Sequence, residues 1–306
     1  MTFSNKSRVF VMSLVSFIRI ENAHLKKAIE NALNKIEYEL PKSVKSVVIK
    51  PNMCYYWDYT TGQTTNPKVV AALIELIREK ISHTVEISIV ESDASAMKCR
   101  YAFKFLGFEK LAEDYKVKLV NLSEDSGEKV KVKSGKCSIN LTVPQTIKNA
   151  DLKINVPKIK YLARTKISCA LKNIFGCNPE PNKFKYHSKL DETIVALNKA
   201  MPFDLHILDG TIVAGRQTCK LNLIMASKDP VALDAAASRL AGVHPKSVRY
   251  ITLAYKEGIG NIAFMPIGDN PQIFEKQFPR KKLKDKLLLT AYRFAVQTRL
   301  FDTRLL

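Results

Sequence analysis

Apolar residues recur along this 306-residue chain in two alternating periods. The first apolar run, closed by Arg19, reads as a strand. Across residues 21–40, Leu25, Ala28, Ile29, Ala32, Leu33 and Ile36 keep helical spacing until Pro41 stops them. VKSVVI (44–49) is a short β-branched run that ends in Lys50-Pro51-Asn52. A loop rich in aromatics follows, and Thr65 or Asn66 then caps a helix over 67–81, with Pro67 at a position where its missing N–H costs nothing. TVEISIV (84–90) is the next strand and runs into Glu91-Ser92-Asp93. Helical spacing returns over 96–115, broken at Gly107, and 117–122 is again a strand.

From 128 to 143 the period is two. Lys129, Lys131 and Lys133 share one face, Val130 and Val132 the other, and Ser134-Gly135 turns the chain, which predicts a β-hairpin. The pattern then gives a strand at 152–156 and a helix at 166–175 with Gly176 as its left-handed terminator. A helix from Ser188 to about residue 200 and strands at 204–208 and 221–226 come next. Asp229 caps a helix over 230–240, and a further helix runs from 245 to 256. Strands separated by helices in this way predict an α/β fold, a mostly parallel doubly wound sheet with helices on both faces. Residues 1–265 are expected to form that domain. The break at 266–279 reads as a linker to a basic amphipathic helix over 281–306.

Net charge changes this picture. Forty-nine Lys and Arg against 29 Asp and Glu leave +20, which favours anionic partners and says nothing about fold. Six cysteines with no C-x-x-C pair exclude a local zinc ribbon or ferredoxin motif, so a reducing, cytoplasmic setting is expected. No apolar run approaches the ~20 residues of a membrane span, and a membrane surface is not among the expected partners.

Open parallel sheets bind ligands beyond the carboxyl ends of their strands. Residues 152–179 contain no acid but hold Lys153, Lys158, Lys160, Arg164, Lys166 and Lys172, and the basic stretch closes on His187. The candidate ligand-binding residues are therefore Lys50, Asn52, Thr65, Asn66, Asn155, Lys158, Asn173 and Lys183. Lys172 and His187 are the candidate catalytic pair, because an imidazole titrates near neutral pH. Glu91, Asp93 and Asp209 are candidate metal ligands, with pairing to lysines as the competing use; Ser227 to Asp229 are placed at the same strand ends. His206, inside a strand, reads as a core histidine. The phosphate loops G-x-x-x-x-G-K-[ST] and G-x-G-x-x-G are absent.

The phrases VVIKPN, TTNPKVVAALIELI, INVPKIK, ALKNIFGCNPEPNKFKYH, ILDG and IMASKDPVALDAAASRLAG, in this order, resemble domain-of-unknown-function family 362 over about residues 44–260. The resemblance implies a parallel α/β domain of archaea and bacteria, often joined to or acting beside iron–sulfur ferredoxin modules. It leaves the cofactor unknown. Two departures stand out: Tyr161 sits where relatives carry a histidine, and TIVAGRQTCK replaces a Gly-rich loop.

Two functions are expected from these observations. One is a cytosolic enzyme that binds a phosphorylated or carboxylated small molecule at the strand ends, with a ferredoxin partner by resemblance. The other is a nucleic-acid or anionic-surface binder that uses the charge together with Tyr55, Tyr56 and Trp57.

Overall fold

The computed structural model describes residues 12–215 and 217–280. In chain order, β1 (Ser13–Arg19) leads into α1 (Leu25–Lys35), β2 (Ser46–Pro51) into α2 (Pro67–Lys80), and β3 (Glu86–Glu91) into α3 (Cys99–Phe105) and α4 (Phe108–Tyr115). β4 (Lys118–Asn121) precedes a hairpin, β5 (Gly127–Ser134) and β6 (Cys137–Pro144), and the single turn α5 (Gln145–Lys148). β7 (Leu152–Val156) is followed by a small hairpin, β8 (Lys160–Leu162) and β9 (Lys166–Ser168), the single turn α6 (Ala170–Asn173) and α7 (Leu190–Ala200). β10 (Leu205–Ala214), β11 (Thr218–Ser227), α8 (Pro230–Leu240), α9 (Arg249–Lys256), β12 (Phe264–Gly268) and α10 (Pro271–Gln277) complete the described chain.

Eight strands form one sheet in the order β12-β1-β11-β10-β7-β2-β3-β4. Only β11 runs against its neighbours; the other pairings are parallel. The sheet is buried on both sides. Along β2, Val47 and Ile49 join the core beneath α1 to α4, while Val48 joins the core beneath α7 to α9, the alternation a pleated strand imposes. The expected fold class is the observed one, and the hairpin insertion lies against α7 with its three lysines exposed.

Cap chemistry set two helix starts as expected. Asn66 Oδ1 accepts from the Lys68 N–H at 3.0 Å, and Asp229 Oδ1 accepts from Val231 and Ala232 at 2.8 and 3.0 Å. α7 differs, because it starts after Lys189 with no side-chain cap in place of Ser188.

Three other expectations need correction. Residues 166–175 are not one helix. Lys166 adopts φ 67° as it opens β9, and Asp234, reaching across from α8, takes the Ala170 N–H at 2.6 Å and restarts the helix there. The 266–279 segment is not a linker. β12 pairs with β1, α10 begins at another Asn-Pro cap (Asn270), and Phe274 and Phe278 are buried. An edge strand tolerates Pro266, which disguises it in the sequence. The globular unit therefore continues past residue 265; the basic segment 281–306 lies outside the described residues. Finally, because β11 is antiparallel, Ser227 pairs with His206 beside the start of β10, and Ser227 to Asp229 lie at the rim opposite the carboxyl ends of β2, β3 and β7.

Candidate functional site

Beyond the carboxyl ends of β2, β3 and β7 lies a cleft of about 440 Å³. β2 and the residue after it supply Lys50 and Asn52, β3 and the residue after it supply Glu91 and Ser92, and the β8–β9 hairpin supplies Lys160 and Arg164. Lys172 and Asn173 come from α6, and Lys183 and His187 from the turn after it. Among the described residues, five cationic side chains and one carboxylate thus face the cleft, alongside Met53, Met97, Leu162 and Phe175.

The floor is a ladder of amides. Lys160 Nζ donates to Asn52 Oδ1 at 2.7 Å and to the Gln63 carbonyl at 3.1 Å. Asn52 Nδ2 donates to Asn173 Oδ1 at 2.8 Å, and Asn173 Nδ2 donates to Asn155 Oδ1 at 2.7 Å and to the Lys50 carbonyl at 3.1 Å. Asn155 Nδ2 reaches the Ala170 carbonyl at 3.0 Å and His206 Nδ1 at 3.1 Å. Buried amides that satisfy one another fix geometry, so the ladder holds α6 rigidly against the strand ends. His206 belongs to this foundation: burial pushes its pKa down to about 3 and keeps it neutral.

The cations divide by partner. Lys50 is fully buried and pairs with Glu91 at 2.7 Å. Gly176 crosses directly above this pair, where a Cβ would come within 2.7 Å of Glu91 Oε1 and 2.9 Å of Lys50 Cε. Close approach, not a left-handed turn, is therefore what requires glycine there. Lys183 Nζ donates to Ser92 Oγ at 2.8 Å and to the Asn178 carbonyl, and burial lowers its pKa to about 8 against the opposing pull of Glu91. Lys160 is likewise lowered, chiefly by burial. Lys172 is half-buried, lies 5.6 Å from the centroid of the Phe175 ring, and meets no hydrogen-bond acceptor among the described residues. Desolvation, with Lys160 as a like charge nearby, brings its pKa to about 8. His187 is lowered by burial, by Arg164 and by Lys172.

The structure brings Lys50, Asn52, Lys172, Asn173, Lys183 and His187 to one cleft. It places four other candidates in the scaffold. Lys158 is buried, donates to the Ile212 carbonyl at 2.6 Å and faces Asp209 at 3.2 Å. Asp209 also accepts from the Asn66 N–H at 2.8 Å and from Thr211. Thr65 Oγ1 links the Asn52 N–H to the Val156 carbonyl, each at 2.8 Å, and Asn155 lies within the ladder below the cleft. The three candidate metal ligands do not converge. Glu91 pairs with Lys50, Asp93 with Lys98 at 2.9 Å and Asp209 with Lys158. Among the described residues no group of three or more His, Cys, Asp or Glu could hold a metal ion. Lys160, Arg164 and Ser92 were not among the candidate residues, although the first two lie in the basic stretch; the lysine repeat at 158 and 160 marks both positions equally and separates neither.

Among the described residues no helix is long and apolar enough to cross a membrane. A family model described as "Domain of unknown function (DUF362)" matches residues 47–239. A thylakoid-associated protein of Synechocystis sp. is 26% identical over 247 residues, 76% of this chain and 71% of its own length. A solved structure of the lactate racemase apoprotein from Thermoanaerobacterium thermosaccharolyticum is similar with a TM-score of 0.44 and 11% identity, over 76% of this chain; the match spans 58% of that protein.

Proposed function

The chain belongs to the DUF362 family, and from that premise we propose that its cleft binds a phosphorylated or carboxylated small molecule at the carboxyl ends of the sheet. Lys172 carries this reading, being a cation with no hydrogen-bond acceptor among the described residues, in a cleft whose other lysines are anchored by protein oxygens. The anion would complete its coordination, with Lys160 and Lys183 adding charge at fixed positions. His187, whose pKa burial and then the nearby Arg164 and Lys172 lower, would accept a proton from the bound molecule while Lys172 steadies the resulting charge. The apolar wall of Met53, Met97, Leu162 and Phe175 gives the ligand a hydrocarbon portion beside its anionic group.

Calorimetric titration with inorganic sulfate and phosphate tests the binding half. Lys172→Met should weaken binding by roughly tenfold or more, leave the melting temperature unchanged or raised, and be rescued in part by Lys172→Arg. Unchanged affinity in Lys172→Met would overturn the reading.

A further inference from the structure

Ten large apolar or aromatic side chains are exposed among the described residues, and six of them sit on the rim that holds the cleft. Tyr55, Tyr56 and Trp57 lie in the loop after β2, Tyr101 and Phe105 on α3, and Phe184 in the turn after α6. Phe105 is 61% exposed and Phe184 63%. The rings fall into two groups: Tyr55 and Trp57 are 5.3 Å apart, while Phe105 lies 5.7 Å from Tyr56 and 6.0 Å from Tyr101. Tyr56 Oη accepts from the Lys98 N–H at 2.9 Å and ties the loop to α3. Tyr55 lines the cleft, and Phe184 packs at 4.9 Å against His187 on the same cleft.

Cations are interleaved with these rings. The run KCRYAFKF (98–105) exposes Lys98, Arg100 and Lys104 and holds no acid, and Arg164 is exposed nearby on the cleft. The rim's acids are mostly engaged, Asp93 by Lys98 and Glu180 by Lys185, while Asp58 caps its own turn. Phenylalanine has no polar tip to satisfy in water, so two such exposed rings on the rim of one cleft mark a surface that something covers.

We propose that this rim docks onto an anionic lipid surface, with the aromatic rings in the interfacial layer, the cations at lipid phosphates and the cleft opening toward the membrane. Tyrosine and tryptophan suit that layer, and a basic fringe adds attraction to anionic headgroups. Single-stranded nucleic acid fits less well. Base stacking needs open ring faces, whereas Tyr101 is stacked on Phe105 at an interplanar angle of 11° and carries the Arg100 guanidinium 4.6 Å from its centroid. A second copy of the chain would bring another +20 charge against the same face. The docking does not depend on what the cleft binds, so either proposal can fail while the other stands.

Trp57 is the chain's only tryptophan, so its emission reports on this rim alone. The full chain is mixed with vesicles of phosphatidylcholine alone, and with vesicles that also contain phosphatidylglycerol. Co-sedimentation and a blue shift of Trp57 emission are expected only with the second kind, and added salt should weaken both. The variant Phe105→Ser/Phe184→Ser, whose rings lie outside the core, should melt as the parent does and partition roughly tenfold or more weakly. Several results would overturn the proposal: no association with anionic vesicles, association without a Trp57 shift, or equal partition of the double variant. So would a Trp57 response to a single-stranded oligonucleotide with none to vesicles.

Discussion

Lys158 and Lys172 come from the same basic stretch, and burial lowers the pKa of both, yet they occupy opposite kinds of environment. Lys158 is sealed between a carbonyl and Asp209, which is itself held by the Asn66 and Thr211 N–H groups. Lys172 lines the cleft with an aromatic ring on one side and open space on the other. A desolvated charge with a fixed counter-charge is part of the scaffold. One without a counter-charge costs the empty protein stability, and an arriving anion recovers that cost. The candidate site is thus identified less by where lysines cluster than by which of them meets no hydrogen-bond acceptor among the described residues.

Three measurements can break or sharpen that contrast, and the largest effect is expected at the sealed lysine. Asp209→Ala leaves Lys158 buried without its counter-ion and the Asn66 N–H without its acceptor, at a cost of about 3–5 kcal/mol in chemical denaturation. A cost below ~1 kcal/mol would mean that the two lysines are equivalent after all. Gly176→Ala comes next, at about 1–3 kcal/mol, because the new methyl must displace the Lys50–Glu91 pair. A neutral result in the same assay would show that the cleft floor yields easily and does not hold α6 in a fixed place.

The smallest effect is a pH dependence. Lys172 is charged below about pH 8, so sulfate affinity should be highest there and fall as pH rises through that value. Sulfate itself does not titrate in this range. The ligand-free protein should respond in the opposite direction. Unfolded lysines keep their protons to about pH 10.5, whereas folded Lys172 and Lys183 release theirs near 8. The unfolded state therefore binds more protons between those values, and these two groups add stability as pH rises across the window. Sulfate affinity flat from pH 7 to 9 would remove Lys172 as the anion's partner.

Local signals carried most of the architecture. The alternation of strand and helix, the 128–143 hairpin and the Asn66-Pro67 and Asp229-Pro230 starts were legible because each depends on residues a few positions apart. The gathering of Lys50, Asn52, Lys172, Lys183 and His187 followed from one topological rule about parallel strands. Residues 166–175 were illegible, because the group that starts α6 there is Asp234, far along the chain. The Asn270-Pro271 start was visible in principle, but the prolines around it disguised an edge strand as a linker.

By itself, then, the sequence determined a covered parallel sheet with an excess of positive charge at its strand ends, since hydrophobic period, caps and charge are all written locally. Tertiary structure decided the direction of β11, the single carboxylate in the cleft and the aromatic rim beside it. It also decided that Asp209 faces Lys158 while Lys172 meets no hydrogen-bond acceptor among the described residues. Each of those outcomes depends on which distant segments meet in the folded chain, and one-dimensional spacing does not encode that.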